Sequence, residues 1–544
     1  MTNSQQPTAN SQQPATRGAI AASDPQTAEA GARMLRRGGD AIDAAVAAAF
    51  ASFVIEFSLV NIGGGGIATV VDTGADSGTH NATTYDFFSD MPSGALRDVS
   101  DFRRVLVDFG STQQPFYIGR ASVAVPGVVA GLCAMAAEHG TLPLATLLEP
   151  AIERAYEGVL ISEQLAYAYH LLRPIFSDTA EMAAIFTPQG HIYQAGERIH
   201  FPNLGRTLER LSRAGPDLFY TGDIARAIVA DQEAHGGLLT AHDLAAYRVQ
   251  RRAPWRLPYR NFTVLLPPPS SIGGVLVGFA LKLLASVDVG ALDHNGAEHV
   301  RLLAEVMRLT NRARWHWETS SDAVADRLTW FLGDAHVDEY RRSLHAVLNG
   351  AAAPVDPSFA PGPNDTTHIT TADAAGRLVS ITTSAGECAG FVVGDTGVCL
   401  NNMLGELDLH PNGFHQSPPG SRLTTMMTPT VVMRGEQPVL ALGSGGSNRI
   451  RSAITQAISN VLDFDMTPSS AVEAARVHFE EGVLQLEGGI APHVADELAA
   501  LGYDVNRWST QNMFFGGAHL VACDQDALIP VGDRRRGGSV QVVA

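Results

Sequence analysis

The sequence holds 544 residues, 45% hydrophobic and 17% charged, with a formal net charge of −18. That much apolar material supports a sizeable core and excludes a globally disordered chain. The acidic balance excludes a sequence-independent grip on nucleic acid or on an anionic membrane, since both need a clustered positive field.

Residues 1–17 are polar and rich in Gln and Pro, and they lack the apolar stretch of a secretory signal. They read as a disordered tail on a cytoplasmic protein. Asp24 followed by Pro25 is the order of an N-cap and first helical position, so a helix is expected from Pro25 to about Arg37, with Gly38 free to take the positive φ that ends it. A second helix starts near Asp40, and the two form an αα-hairpin. Its apolar run, Ala41 to Ile55, contains Asp43 and is shorter than the roughly 20 residues that span a bilayer. It reads as a buried helix, and no membrane span is expected.

Four glycines, Gly63 to Gly66, precede a β-branched run. A phosphate-binding loop needs Lys and Ser or Thr directly after its last glycine, where Ile67 stands, so a backbone crossing too tight for any Cβ is the better reading. Helices are expected between Val125 and Gly158. Thr240 with Asp243 forms a variant capping box, and a Pro-Pro-Pro turn at 267–269 links a strand to a helix. Length alone suggests three or four domains, but these alternating patterns suit one large α/β unit equally.

The segment NGAAAPVDPSFAPGPND, residues 349–365, carries four prolines and reads as an exposed connector. Beyond it come short alternating strand runs and then a helix near Ser452 to Leu462. The four cysteines, Cys133, Cys388, Cys399 and Cys523, show no CxxC spacing and no disulfide framework, and Cys388 reads as a small semi-buried thiol. His410 and His415 have loose metal spacing without the usual partners, so they read as solvated loop histidines. Neither a metal nor a cofactor is expected.

Thr366 opens the run TTHITTAD directly after the connector. Threonines at strand starts are abundant, and alone it reads as structural. Released as a new N-terminus, however, a threonine gains an α-amino group of pKa about 7.7 to 8.0 that can act as base for its own hydroxyl. This requires a cut of the Asp365–Thr366 bond, and a flexible connector is where such a cut is sterically possible. The turn in ALGSGGSNRI, residues 441–450, ends a strand and opens a helix, so its N–H groups could face a developing oxyanion.

These residues resemble the γ-glutamyltransferase (γ-glutamyltranspeptidase) family of N-terminal nucleophile hydrolases. The similarity runs through NIGGGG, VPGVVAGL, YTGDIARAIV, PPPSSIGG, NDTTHITTAD, LNNM, PPGSRLTTMMTPT, GSGGSNRI and VGDRRRGG in family order. The resemblance implies a four-layer αββα sandwich of two packed antiparallel sheets flanked by helices. It implies a precursor cut before Thr366 into a large-subunit region, 18–365, and a small-subunit region, 366–544, which stay associated as an intertwined heterodimer. It makes Thr366 the nucleophile and Ser384 its supporting hydroxyl, and it puts Glu406, Thr425, Met426 and Ser447 at the substrate and the oxyanion hole at Gly445 and Gly446. Glu406 would take the α-amino group of a γ-glutamyl substrate.

Four positions depart from the family pattern. Phe88 stands where an arginine pairs with the substrate α-carboxylate, Gly386 replaces an asparagine, Met403 a polar residue and Met426 a serine. The implied pocket is more apolar. A γ-glutamyl hydrolase or transferase acting on glutathione-like small molecules is the first expectation. An acylase or amidase of the same fold and a non-maturing homologue remain alternatives.

Overall fold

The computed structural model describes residues 15–73, 80–96, 100–108, 113–319, 323–351, 366–410, 413–524 and 527–544. Most of the expected tail and connector, with Asp365, lies outside them.

Local signals set the first hairpin. Asp24 accepts from the Gln26 N–H at the start of the helix Pro25–Arg36, and Gly38 follows its end at φ +83°. Asp40 and Asp43 form a reciprocal capping box on the helix Ala41–Ile55, all of whose residues are buried. Small residues allow that burial, because a Cβ on Gly31 would come within 2.4 Å of Ile20 and 2.8 Å of the Ala44 carbonyl.

The first antiparallel sheet runs in the order Ser539–Val543, Gly18–Ala22, Thr367–Asp373, Leu378–Ser384, Gly65–Thr73, His80–Phe87 and Gln250–Arg252. The second runs Ala527–Val531, Gly517–Asp524, Gln437–Gly445, Thr430–Arg434, Phe262–Leu266 and Trp255–Tyr259. The sheets meet through Ala19, Ala21, Ala372 and Leu378 on one side and Leu265, Val431, Ala441 and Val521 on the other. Helices Pro25–Arg36 and Ala41–Ile55 cover the outside of the first sheet, and Ile272–Leu284 and Arg449–Leu462 cover the second. The architecture is a four-layer αββα sandwich.

Two features differ from the sequence reading. The strand Gly18–Ala22 lies inside the first sheet although GAIAA carries no strand pattern, because its neighbours supply the ladder on both sides. The strands Thr367–Asp373 and Leu378–Ser384 are buried at every residue, where alternation suggests one wet face. Layers on both sides cover them, so their polar side chains bond internally: Thr371 donates to the Ala41 carbonyl at 2.6 Å and Ser380 to that of Leu442 at 2.8 Å.

Strands from before and after Thr366 pair with one another in both sheets. Thr367–Asp373 pairs with Gly18–Ala22, Leu378–Ser384 with Gly65–Thr73, and Thr430–Arg434 with Phe262–Leu266. Among the described residues, no helix is long and apolar enough to cross a membrane.

Candidate active site

Thr366 precedes the central strand and is nearly buried, at 7% exposure. The register pairs Thr367 with Thr383, so one step outward Thr366 lies opposite Ser384. Its carbonyl accepts from Arg536 Nη1 at 3.5 Å, and Gly445 packs so closely that a Cβ there would come within 2.3 Å of the same oxygen. Thr367 pins the strand entry from the other face. Its hydroxyl donates to Glu56 Oε2 at 2.6 Å and lies 2.8 Å from Ser23 Oγ, while Thr27 donates to Glu56 Oε1 at 2.7 Å. Burial, and then the charge of Asp24, push the Glu56 carboxyl up to about 7. His368, held between the Thr370 and Thr382 hydroxyls, is kept neutral by burial.

The glycine run explains how Ser384 is placed. A Cβ on Gly63 would come within 2.3 Å of the Cys399 carbonyl, and one on Gly64 within 2.3 Å of the Ser384 carbonyl. The tight-crossing reading therefore holds, and three chain segments converge there. Ser384 Oγ accepts from the Gly386 N–H at 3.0 Å. Asn401 ties the following segment down, bonding the carbonyls of Gly63 at 2.7 Å and Ala124 at 3.0 Å.

Two sequence readings are corrected. Cys388 is joined to Cys399 by a disulfide, because the chain between them folds back through the short pair Val392–Val393 and Val398–Cys399. His410 is not a solvated loop histidine but is buried, and His415 is half-buried: their Nε2 atoms lie 2.9 Å from the carbonyls of Met403 and Ala121, and Phe414 packs against both rings. No group of three or more potential metal ligands is found among the described residues.

Thr366 and Ser384 open onto a narrow cleft shared with Glu406, Asp408, Thr425 and Ser447. Phe88, Met403, Met426 and Met427 form its apolar wall, and no Lys or Arg lines it among the described residues. Phe88 is buried in that wall, while its acidic neighbours Asp86 and Asp90 hold Arg422 at 2.6 and 2.5 Å. Gly386 sits at φ +61°, and a Cβ there would come within 2.0 Å of Glu406 Oε1 and 2.1 Å of Asn402 Oδ1. An asparagine at position 386 would displace the Glu406 carboxylate.

The strand Gln437–Gly445 ends in a turn that leads into the helix Arg449–Leu462, with Gly446 at φ +118° and Ser447 at φ +49°. The turn's N–H groups thus stand at the positive end of a helix. Ser447 Oγ donates to Asp408 Oδ2 at 2.6 Å, and Arg314 donates to Asn448 Oδ1 at 3.0 Å. Behind the turn, Arg535 bonds both oxygens of Glu487 and Arg476 bonds Asp533 at 2.6 Å, all four buried.

Thr366, Ser384, Glu406, Thr425, Met426 and Ser447 therefore line one cleft, while Gly445 and Gly446 border it beside Arg536. Asp408, Arg536 and Glu56 went unnoticed in the sequence. For Asp408 a signal exists, an acid between leucines two positions after Glu406. Arg536 lies in the VGDRRRGG run, but nothing there marks its reach to Thr366, and for Glu56 only the fold supplies a signal.

The sequence pattern described as Gamma-glutamyltranspeptidase matches residues 27–543. The chain is 34% identical to the acylase ACY 1 proenzyme of Pseudomonas sp. (strain V22), over 95% of this chain and 92% of that protein. It is 31% identical to the glutathione hydrolase proenzyme of Pseudomonas aeruginosa, over 97% and 94%. The crystal structure of cephalosporin acylase from Bacillus halodurans superposes with a TM-score of 0.81 at 25% identity, covering 99% of this chain and 98% of that one.

Proposed function

Because the chain belongs to the gamma-glutamyltranspeptidase family, we propose that it cuts itself between Asp365 and Thr366 and then acts as an amide-cleaving acylase through Thr366. Residues 1–365 and 366–544 would remain together, since strands of the two regions pair with one another in both sheets. In this reading the freed α-amine takes the proton of the Thr366 hydroxyl as Oγ attacks the substrate carbonyl. The oxyanion forms against the N–H groups of the 445–447 turn, where one donor is worth roughly 3 to 4 kcal/mol. The ammonium returns its proton to the departing amine, leaving an ester on Thr366. Water or an acceptor amine resolves that ester.

The composition of the cleft carries the choice of acyl group. Among the described residues, its lining offers two carboxylates and a wall of Phe and Met, with no Lys or Arg to meet a free α-carboxylate. A γ-glutamyl group would lose its bidentate anchor and meet like charge instead. An acyl group with an apolar body fits better, in keeping with the relatives named as acylases. The second reading, a glutathione hydrolase, is favoured by Glu406, which stands in the cleft as a partner for a substrate α-ammonium. The Cys388–Cys399 disulfide weighs toward an oxidising compartment rather than the cytoplasm.

Matched anilides test the choice. The acylase reading predicts a higher kcat/KM for simple acyl anilides than for the γ-glutamyl anilide. The reverse order would favour the glutathione hydrolase reading.

A further inference from the structure

We infer that Asp408 is a positioning residue for the oxyanion turn, acting through the Ser447 hydroxyl. The inference rests on the acyl-transfer reading of Thr366. Ser447 occupies the left-handed region at φ +49°, which a non-glycine residue holds only when its surroundings over-determine it. The surroundings here are specific. Ser447 Oγ donates to Asp408 at 2.6 Å, and both residues are more than nine-tenths buried. The next residue, Asn448, is held by Arg314 at 3.0 Å, so the turn is tied from two sides.

Asp408 also sits in the short 3₁₀ turn Leu407–Leu409, whose N-cap is Glu406. One hydrogen bond therefore couples the segment facing the acyl group to the turn facing the oxyanion. A substrate that seats against Glu406 steadies Asp408 and, through it, the N–H groups at the reacting carbonyl. Burial pushes the Asp408 carboxyl up, opposed by its bond to Ser447 and by Arg314 and Arg449.

A double-mutant cycle separates this role from a merely structural one. Wild type, Asp408→Ala, Ser447→Ala and the double variant are first shown by mass spectrometry to be cut before Thr366, then assayed on the best acyl anilide. Each single variant is expected to lose kcat roughly 10- to 100-fold, as for a slightly misplaced catalytic group, with KM within about threefold. The double variant is expected to be no worse than the poorer single one. Asp408→Asn, which keeps an acceptor oxygen, should recover most of the loss. In a Ser447→Gly background, where glycine adopts the conformation unaided, Asp408→Ala should cost less than about threefold.

Losses that multiply in the double variant, or a rise in KM with kcat unchanged, would overturn the inference. A correctly cut wild type without activity on any anilide would overturn the acyl-transfer reading and this inference with it.

Discussion

Phe88 and Glu406 line the cleft that Thr366 shares, and in the proposed reading they set which acyl group reaches it. Replacing Phe88 by arginine would restore a guanidinium able to bind a carboxylate in bidentate fashion. Phe88→Arg should therefore raise kcat/KM for the γ-glutamyl anilide about tenfold or more while lowering it for simple acyl anilides. Equal losses on both substrates would mean that position 88 does not meet the acyl end. At this scale the sequence was informative where chemistry and motif coincide. Thr366, Ser384 and Glu406 could be named from their motifs and do share one cleft. Asp408 reaches Ser447 across 39 residues of chain, its one local sign being its place two residues after Glu406, and Arg536 reaches Thr366 across 170, a pairing that no spacing marks.

At the scale of elements, the strand entry and the helix behind it are joined by Glu56. Its carboxyl, fully enclosed, takes two threonine hydroxyls and sits near Asp24, and it is raised from 4.5 to about 7. The folded state thus holds this proton to higher pH than the unfolded chain does. The stability that results is fully present below about pH 4.5 and is lost as pH rises through about 7. Glu56→Gln should flatten that fall, by an amount on the order of 1 to 3 kcal/mol between pH 5 and pH 8. Urea unfolding at both pH values, in a Thr366→Ala background that keeps the chain intact, measures it. An unchanged slope would assign the pH dependence to other groups. Elements were legible where caps, glycines and prolines punctuate them, as at Asp24–Pro25, Asp40 with Asp43 and Thr240 with Asp243. The strand Gly18–Ala22 was not, because its ladder comes from partners more than 300 residues away in the chain.

At the scale of the whole molecule, the pairing of strands from either side of Thr366 gives a cut chain reason to stay together. The central pairs Thr367–Asp373 with Gly18–Ala22 and Leu378–Ser384 with Gly65–Thr73 cross the proposed cut, and the core between the sheets draws on both regions. Neither region could leave without exposing that apolar surface. This arrangement was legible only through the family resemblance, since composition and periodicity do not say which strands are neighbours. The claim on which the rest depends is the release of Thr366 as an N-terminus. Mass spectrometry of the purified protein, beside Thr366→Ala, measures it directly. The account predicts two co-purifying fragments, 1–365 and 366–544, from the wild type and one intact chain from the variant. A wild-type chain that stays whole after prolonged incubation, or that is cut elsewhere while still cleaving amides, would contradict it.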